Sequence, residues 1–280
     1  MFLLLGILVS LPYVQTQLGK KVTKSLNKEY NTNINVGRVG INIFSGDVAL
    51  KNIYIEDHHK DTLAYIGALN TSILDFKELR EGDLLFDAIE IDELDFVIKT
   101  YKGETDTSLD VFIASFDEKN PKPKASPSSF LMTANSVAIE NSRFRFIDDN
   151  INTPKILDFK NLNISGNTLS INGPNVNVSI TDANMLDHRG VQITQIATDF
   201  TYSLTQMRFD KIKLKTNSSA IFGELVFDYK RSDFSDFNNK VKLKAFFKNS
   251  SIAYTDLNAF YDEFGQDAAL FTTNVTGTLN

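Results

Sequence analysis

The residues best suited to chemistry are two adjacent histidines in the segment EDHHKDTL. His58 and His59, with Asp57 and Asp61 beside them, offer the nitrogen and oxygen ligands that transition metals take. Adjacent side chains on an extended chain point to opposite sides, so such a pair rarely holds one ion. The segment is therefore predicted to be a solvated loop, with no metal site.

Other residues that could support catalysis are scarce. The 280 residues include 3 histidines and no cysteine, which excludes thiolate catalysis, disulfides and cysteine-ligated metals. The sequence contains no glycine-rich phosphate loop and no HExxH or GxSxG motif. We predict that the protein is not an enzyme and needs no cofactor. Its formal net charge of −6 argues against nucleic acid as a partner, because phosphates require a basic surface.

The N-terminal stretch 2–14, FLLLGILVSLPYV, is apolar. As a helix it would cover about 20 Å of a hydrocarbon core about 30 Å thick, too little to cross a bilayer alone. It predicts that residues 1–15 are the C-terminal half of a membrane anchor whose beginning is missing. An apolar core helix or strand is the alternative.

An amphipathic helix is predicted over residues 16–30, TQLGKKVTKSLNKEY. Leu18, Val22 and Leu26 recur at i, i+4 and i+8, with lysines between them. Such a helix can lie on a membrane or close the end of a β core. Closing the core is the commoner use.

From residue 34 onwards the pattern is that of β-strands. Val241, Leu243, Ala245 and Phe247, for example, alternate with polar residues. Each such strand has one apolar and one polar face, which predicts an antiparallel sheet with one side in water. The fold is therefore predicted to be mostly β, with a few short amphipathic helices.

One octet occurs four times, as VALKNIYI at 48–55, IEIDELDF at 89–96, VAIENSRF at 137–144 and LDFKNLNI at 157–164. Apolar residues occupy positions 1, 3, 6 and 8, except that Ser142 fills position 6 of the third copy. The polar pair at positions 4 and 5 shifts the alternation by one residue. A bulge or a step between strands at that pair would bring both halves to the same face.

We predict that the apolar residues of the octets line one face of the sheet. They are Val48, Leu50, Ile53, Ile55, Ile89, Ile91, Leu94, Phe96, Val137, Ile139, Phe144, Leu157, Phe159, Leu162 and Ile164. If the sheet curls without closing, this face becomes a trough for acyl chains, because burying apolar surface is favourable by about 25 cal/mol per Å². A trough filled by its own side chains, as in a sandwich core, is the alternative.

Helical spacing of apolar residues predicts two further helices, over residues 107–118 and 256–264. Each packs against the sheet or plugs an open groove. The proline-rich segment 118–129, EKNPKPKASPSS, is predicted to be a linker or long loop. It separates a first β segment, 31–117, from a second, 130–280, and the two form either half-sheets or one sheet with an insertion.

The order of anchor, short helix and first strand resembles the N-terminal region of TamB-like proteins, of the AsmA-like group. The similar stretches are LPYVQTQLGKKVTKSLNKEYNTNINVGRVGINIFSGDVALKNIYIEDHHKDTLAY and LLFDAIEIDELDFVIKTYKGETDTSLDVF. Within them lie the strand NINVGRV and the pieces Asp61-Thr62-Leu63 and Ile98-Lys99-Thr100-Tyr101. The resemblance is strongest over residues 1–117 and rests on the general β pattern beyond 130.

This resemblance implies an elongated, taco-like antiparallel β-groove held by one N-terminal helix in the inner membrane of a diderm bacterium. Such proteins are much longer than this chain, so the groove is expected to continue beyond residue 280. They extend across the periplasm, are implicated in moving phospholipid to the outer membrane, and have no catalytic residues to carry over. An Omp85-type outer-membrane protein is their partner, through a C-terminal region that is expected to lie outside this chain.

Three functions remain open from the sequence. The first is a lipid-conducting groove, and the second is a non-conducting envelope scaffold that aids outer-membrane protein assembly. The third is a carbohydrate- or peptide-acting enzyme, which would need convergent carboxylates that the sequence does not indicate. Bound lipid discriminates the first from the second.

Overall fold

The computed structural model describes residues 12–42, 44–75, 77–78, 83–117, 131–152, 155–230, 233, 237–260 and 265–278. Most of the predicted anchor at 1–15 lies outside these residues, as do the predicted linker at 118–129 and the end of the helix predicted at 256–264. Among the helices that are described, none combines the length and the apolar character needed to cross a bilayer.

The described chain is mostly β, as predicted. Its strands are β1 (Asn33–Asn42), β2 (Asp47–Glu56), β3 (Thr62–Ile73), β4 (Leu84–Thr100), β5 (Leu131–Asp148), β6 (Lys155–Asn172), β7 (Asn175–Asp187), β8 (Gln192–Tyr202), β9 (Gln206–Thr216), β10 (Ala220–Asp228), β11 (Lys242–Ala253) and β12 (Ala268–Gly277). Its helices are α1 (Pro12–Tyr30), α2 (Ser108–Asp117), α3 (Phe237–Lys240) and α4 (Tyr254–Leu257). The strands are hydrogen-bonded in chain order, from β1 to β12.

The chain divides into two compact units. Unit 1 comprises residues 1–129 and 138–158, and unit 2 comprises residues 130–137 and 159–280. Each unit therefore contains consecutive strands that pair with one another.

The prediction of a purely antiparallel sheet was wrong at one pair of strands. The Leu94 N–H donates to Ser142 Oγ, and the Asp149 N–H donates to the carbonyl of Thr100. The residue numbers rise together on β4 and β5, so these two strands are parallel. Parallel neighbours need a crossover of a dozen residues or more, and residues 101–130, which include α2, supply it.

Helix α1 lies along the outer edge of β1. It begins at Pro12, where the missing N–H is harmless in the first turn of a helix, rather than at the predicted Thr16. Its Gln15 amide pairs with both backbone groups of Ile41, at 2.7 and 2.9 Å. The helix thus closes an end of the sheet, which was the commoner of the two uses considered.

The second contact between α1 and β1 has the same form. The Asn27 amide donates to the Ile34 carbonyl and accepts from the Ile34 N–H, both at 2.8 Å. Thr16 makes the corresponding pair with Val39 at 3.3 and 3.2 Å. These side chains satisfy edge groups that another strand would otherwise find available.

A left-handed residue interrupts each predicted octet at position 5. Asn52, Glu93, Asn141 and Asn161 have φ values between 50° and 56°. Such a residue breaks the two-residue alternation and returns the next side chain to the face of the previous apolar one. The polar pair of the octet therefore keeps the apolar residues before and after it on the same face of the strand, as the sequence predicted.

Neighbouring strands accommodate these steps with glycine. Gly67 on β3 lies in the register position between Asn52 on β2 and Glu93 on β4. A Cβ on Gly67 would lie 2.9 Å from Glu93 Cβ, too close for two carbon atoms. A small residue is required here because the stepped strand approaches so closely.

A buried serine repairs the ladder where a step opens it. Ser250 on β11 has no exposed surface, and its Oγ accepts the Phe222 N–H of β10 at 3.0 Å. Ser142 on β5 accepts the Leu94 N–H in the same way. Each of these serines directly follows a left-handed residue, Asn249 or Asn141, and its hydroxyl accepts an N–H of the neighbouring strand.

Substitution Ser250→Ala is expected to lower the free energy of unfolding by about 1–2 kcal/mol, because the Phe222 N–H loses its acceptor. Ser251→Ala, one residue along the same strand, is the matched control and should change it by less than about 0.5 kcal/mol. Urea denaturation measures both. Equal losses in the two variants would contradict the repair role.

Candidate functional site

An apolar cluster covers one face of β1, β2 and β3 in unit 1. It consists of Val36, Val39, Leu50, Ile53, Ile55, Ile66 and Leu69. Leu50 and Ile53 lie on opposite sides of the left-handed Asn52 and still pack into the same cluster. The sequence-based expectation that both halves of an octet share a face is therefore met in β2. We call this surface and its continuation on β4 the apolar face.

The octets of β2 and β4 are aligned position by position through β3. Leu50 pairs with Leu69, and Leu69 pairs with Ile91. Ile53 is connected in the same way to Ile66 and then to Leu94. The repeated sequence therefore encodes register, and its apolar positions form straight rows across the strands.

Further rows complete the apolar face at its two ends. Ile55 is connected through Ala64 to Phe96, and Val48 is connected through Thr71 to Ile89. The third octet continues the first of these rows on β5, where the Phe144 ring centroid lies 5.9 Å from that of Phe96. The rows are aliphatic and aromatic, apart from Thr71.

The fifteen predicted lining residues occupy both units. Val137, Phe159, Leu162 and Ile164 belong to unit 2, and the other eleven belong to unit 1. Three of the fifteen, Ile53, Ile89 and Leu162, are buried, and twelve are half-buried. Most of these apolar side chains therefore retain surface that a ligand could cover.

Two further octets carry the same left-handed step; the first keeps apolar residues at positions 1, 3, 6 and 8, and only the second departs from this pattern. MRFDKIKL at 207–214 has a left-handed Lys211, and AFFKNSSI at 245–252 has a left-handed Asn249. The second copy has Ala at position 1 and Ser at position 6, which weakens its apolar signature. Counting Ser142 as an accepted variant of position 6 would have identified it.

Aromatic side chains are prominent in unit 2. Phe200 on β8 and Phe209 on β9 are paired in register, with ring centroids 5.0 Å apart. Phe209 also meets Phe227 on β10, at 6.5 Å. These distances are typical of favourable aromatic pairs. Unit 2 thus carries its own apolar rows.

The opposite face of unit 1 holds ion pairs. Arg145 bonds both carboxylate oxygens of Asp95, at 2.8 and 2.7 Å, and links β5 to β4. Arg143 bonds Asp158 through two nitrogens at 2.8 and 2.9 Å, and links β5 to β6. The carboxylate of Asp158, which has no exposed surface, raises the pKa of Arg143. Charge is therefore segregated from the apolar rows.

The prediction that His58 and His59 point apart was wrong. The chain turns here instead of extending, and both Nε2 atoms reach one carboxylate, Glu104, at 2.9 and 2.7 Å. Hydrogen bonds from His59 and His58 lower the pKa of Glu104 below its usual range. Glu104 follows β4 and is distant in sequence, so no local signal indicated it.

No protein-family model matches the sequence, and no curated protein matches it either.

Proposed function

We propose that this chain is part of a β-groove protein that carries phospholipid between the inner and outer membranes of a diderm bacterium. The observation that supports this function best is the apolar face, whose registered rows of aliphatic and aromatic side chains are mostly half-buried around a small buried cluster. The ion pairs of unit 1 lie on the opposite face of the sheet. This arrangement suits an acyl chain, which needs apolar contact along its length and few polar groups.

The energetics favour such a ligand. Each buried methylene contributes about 0.8 kcal/mol, so a partly covered acyl chain gains several kcal/mol without a single hydrogen bond. Uniform rows do not hold an acyl chain at one position along the face, because each apolar contact resembles the next. A lipid bound in this way can move from strand to strand, whereas a closed pocket with specific polar contacts would retain it.

The rest of the proposal follows the resemblance to TamB-like proteins. The chain would be tied to the inner membrane by its N-terminal segment, with the β units in the periplasm. An Omp85-type partner would be contacted by a region outside this chain. The alternative is an envelope scaffold that supports outer-membrane protein assembly and conducts no lipid.

Native mass spectrometry of residues 12–280, released from membranes without added lipid, tests the proposal. We expect phospholipid to co-purify, and we expect Leu69→Asp to reduce its occupancy at least tenfold. The chain keeps α1, because α1 covers the edge of β1. Asn70→Asp is the matched control, since it introduces the same charge at the next, exposed residue of β3.

A folded chain that carries no lipid, and takes up none from vesicles, would refute the groove and favour the scaffold. Equal lipid occupancy in Leu69→Asp and Asn70→Asp would place the lipid elsewhere. Circular dichroism establishes that both variants are folded before occupancy is compared.

A further inference from the structure

The loop between β2 and β3 and the segment after β4 bring three metal-binding side chains together. One ligand atom from each of His58, His59 and Glu104 lies within 4.8 Å of the other two. The two nitrogen-to-oxygen distances are 2.9 and 2.7 Å. Ligand atoms on a tetrahedral zinc are about 3.3 Å apart for bonds of about 2.0 Å, so an ion requires only small outward movements.

The histidine side of this cluster is held by a network of hydrogen bonds. Asp57 Oδ1 accepts the N–H groups of His59 and Asp61, at 2.8 and 3.0 Å, which fixes the turn. The hydroxyl of Tyr101 donates to Asp57 Oδ2 at 2.6 Å and lies 2.9 Å from Asp61 Oδ2. Its ring also stacks on His59, with centroids 3.8 Å apart. The imidazoles are therefore oriented before any ligand arrives.

The glutamate side is held by Asn150. The Asn150 side chain lies 3.3 Å from the Tyr101 carbonyl and 3.0 Å from the Glu104 carbonyl. It also accepts the Gly103 N–H at 2.7 Å. This clamp fixes the backbone that presents Glu104. Two turns that Tyr101 joins, and that Asp57 and Asn150 brace, thus converge on one point, which a random surface ion pair does not require.

We propose that His58, His59 and Glu104 form a binding site for a transition-metal ion of the zinc type. Two imidazoles and one carboxylate suit Zn²⁺, Ni²⁺ or Cu²⁺, whereas Mg²⁺ and Ca²⁺ take oxygen ligands. The three side chains are 25%, 43% and 35% exposed, which leaves room for water at a fourth position. A bound ion would pin the β2–β3 loop to the segment that follows β4.

Isothermal titration of the chelator-treated chain with ZnCl₂ at pH 7.5 tests this site. We expect one saturable ion per chain, and at least a tenfold loss of affinity in His59→Ala and in Glu104→Gln. His188→Ala, which removes the third histidine of the chain, is the matched control and should bind as the unchanged protein does. MgCl₂ in hundredfold excess should not displace the zinc.

Absence of a one-to-one site in the unchanged protein overturns the proposal. It is also overturned if Glu104→Gln binds zinc as tightly as the unchanged protein, or if magnesium competes. Glu104→Gln keeps the size of the side chain, so its loss of affinity is not a folding defect when its unfolding temperature without metal is unchanged. None of these outcomes depends on whether the apolar face binds lipid.

Discussion

Substitution Gly223→Ala should strongly destabilise unit 2. Gly223 lies on β10, opposite Phe247 of β11 and Ile212 of β9. A Cβ at this position would overlap the Phe246 carbonyl oxygen and lie 2.9 Å from the Phe247 ring. A backbone carbonyl cannot rotate away as a side chain does, so β10 and β11 must separate. We expect the free energy of unfolding to fall by about 3 kcal/mol.

Hydrogen-exchange mass spectrometry is the appropriate measurement, because two compact units need not unfold together. Peptides from β9 to β11 should lose protection, while those of unit 1 should not. Gly277→Ala on β12 is the matched control, since a Cβ there would meet nothing within 4 Å. It should change stability by less than about 1 kcal/mol, in the stabilising direction. Equal exchange in the two variants would contradict the close approach at Gly223.

The local devices of this fold could be predicted from the sequence. The octets placed a step at each polar pair, and the structure has a left-handed residue at Asn52, Glu93, Asn141 and Asn161. This succeeds because side-chain alternation in a strand is a local property with a period of two. A single extra residue in the pattern must then be absorbed by the backbone at that point.

The long-range partnerships could not be predicted. Helix α1 has an ordinary amphipathic sequence, and nothing in it indicates that Gln15 would pair with a strand edge. The parallel pairing of β4 and β5 depends on where the crossover returns the chain. The convergence of His58 and His59 on Glu104 depends on two turns that are fixed by Tyr101 and Asn150. Such contacts are set by tertiary packing, which local patterns do not encode.

The function is less determined by sequence than the fold is. An octet predicts an apolar face, but the same octet would fill the core of a closed sandwich. The register adds a further fact, because the rows run straight from β1 to β4, with a few side chains buried and most of the others only half-buried. A face of this kind needs something to cover it. The lipid proposal and the scaffold proposal differ in what that covering is.

The α1 side chains that bond the outer edge of β1 are a second place where two substitutions should have a large effect on stability. Gln15 and Asn27 together make four hydrogen bonds to the outer backbone groups of Ile41 and Ile34. Each such bond contributes about 0.5–1.5 kcal/mol, so removing both amides should cost about 2–6 kcal/mol. The loss also frees the outer backbone groups of Ile34 and Ile41, near the two ends of the ten-residue strand, and exposed edge groups can pair with other chains.

The double substitution Gln15→Ala with Asn27→Ala is therefore expected to lower the urea midpoint and to convert part of the protein into dimers and larger species. Sedimentation velocity at several protein concentrations measures the second effect. Gln17→Ala with Lys24→Ala, at exposed positions of the same helix, is the matched control and should leave both properties unchanged. Alanine has high helix propensity, so neither pair of substitutions should unwind α1. A double variant that stays monomeric at full stability would mean that α1 covers the edge without protecting it.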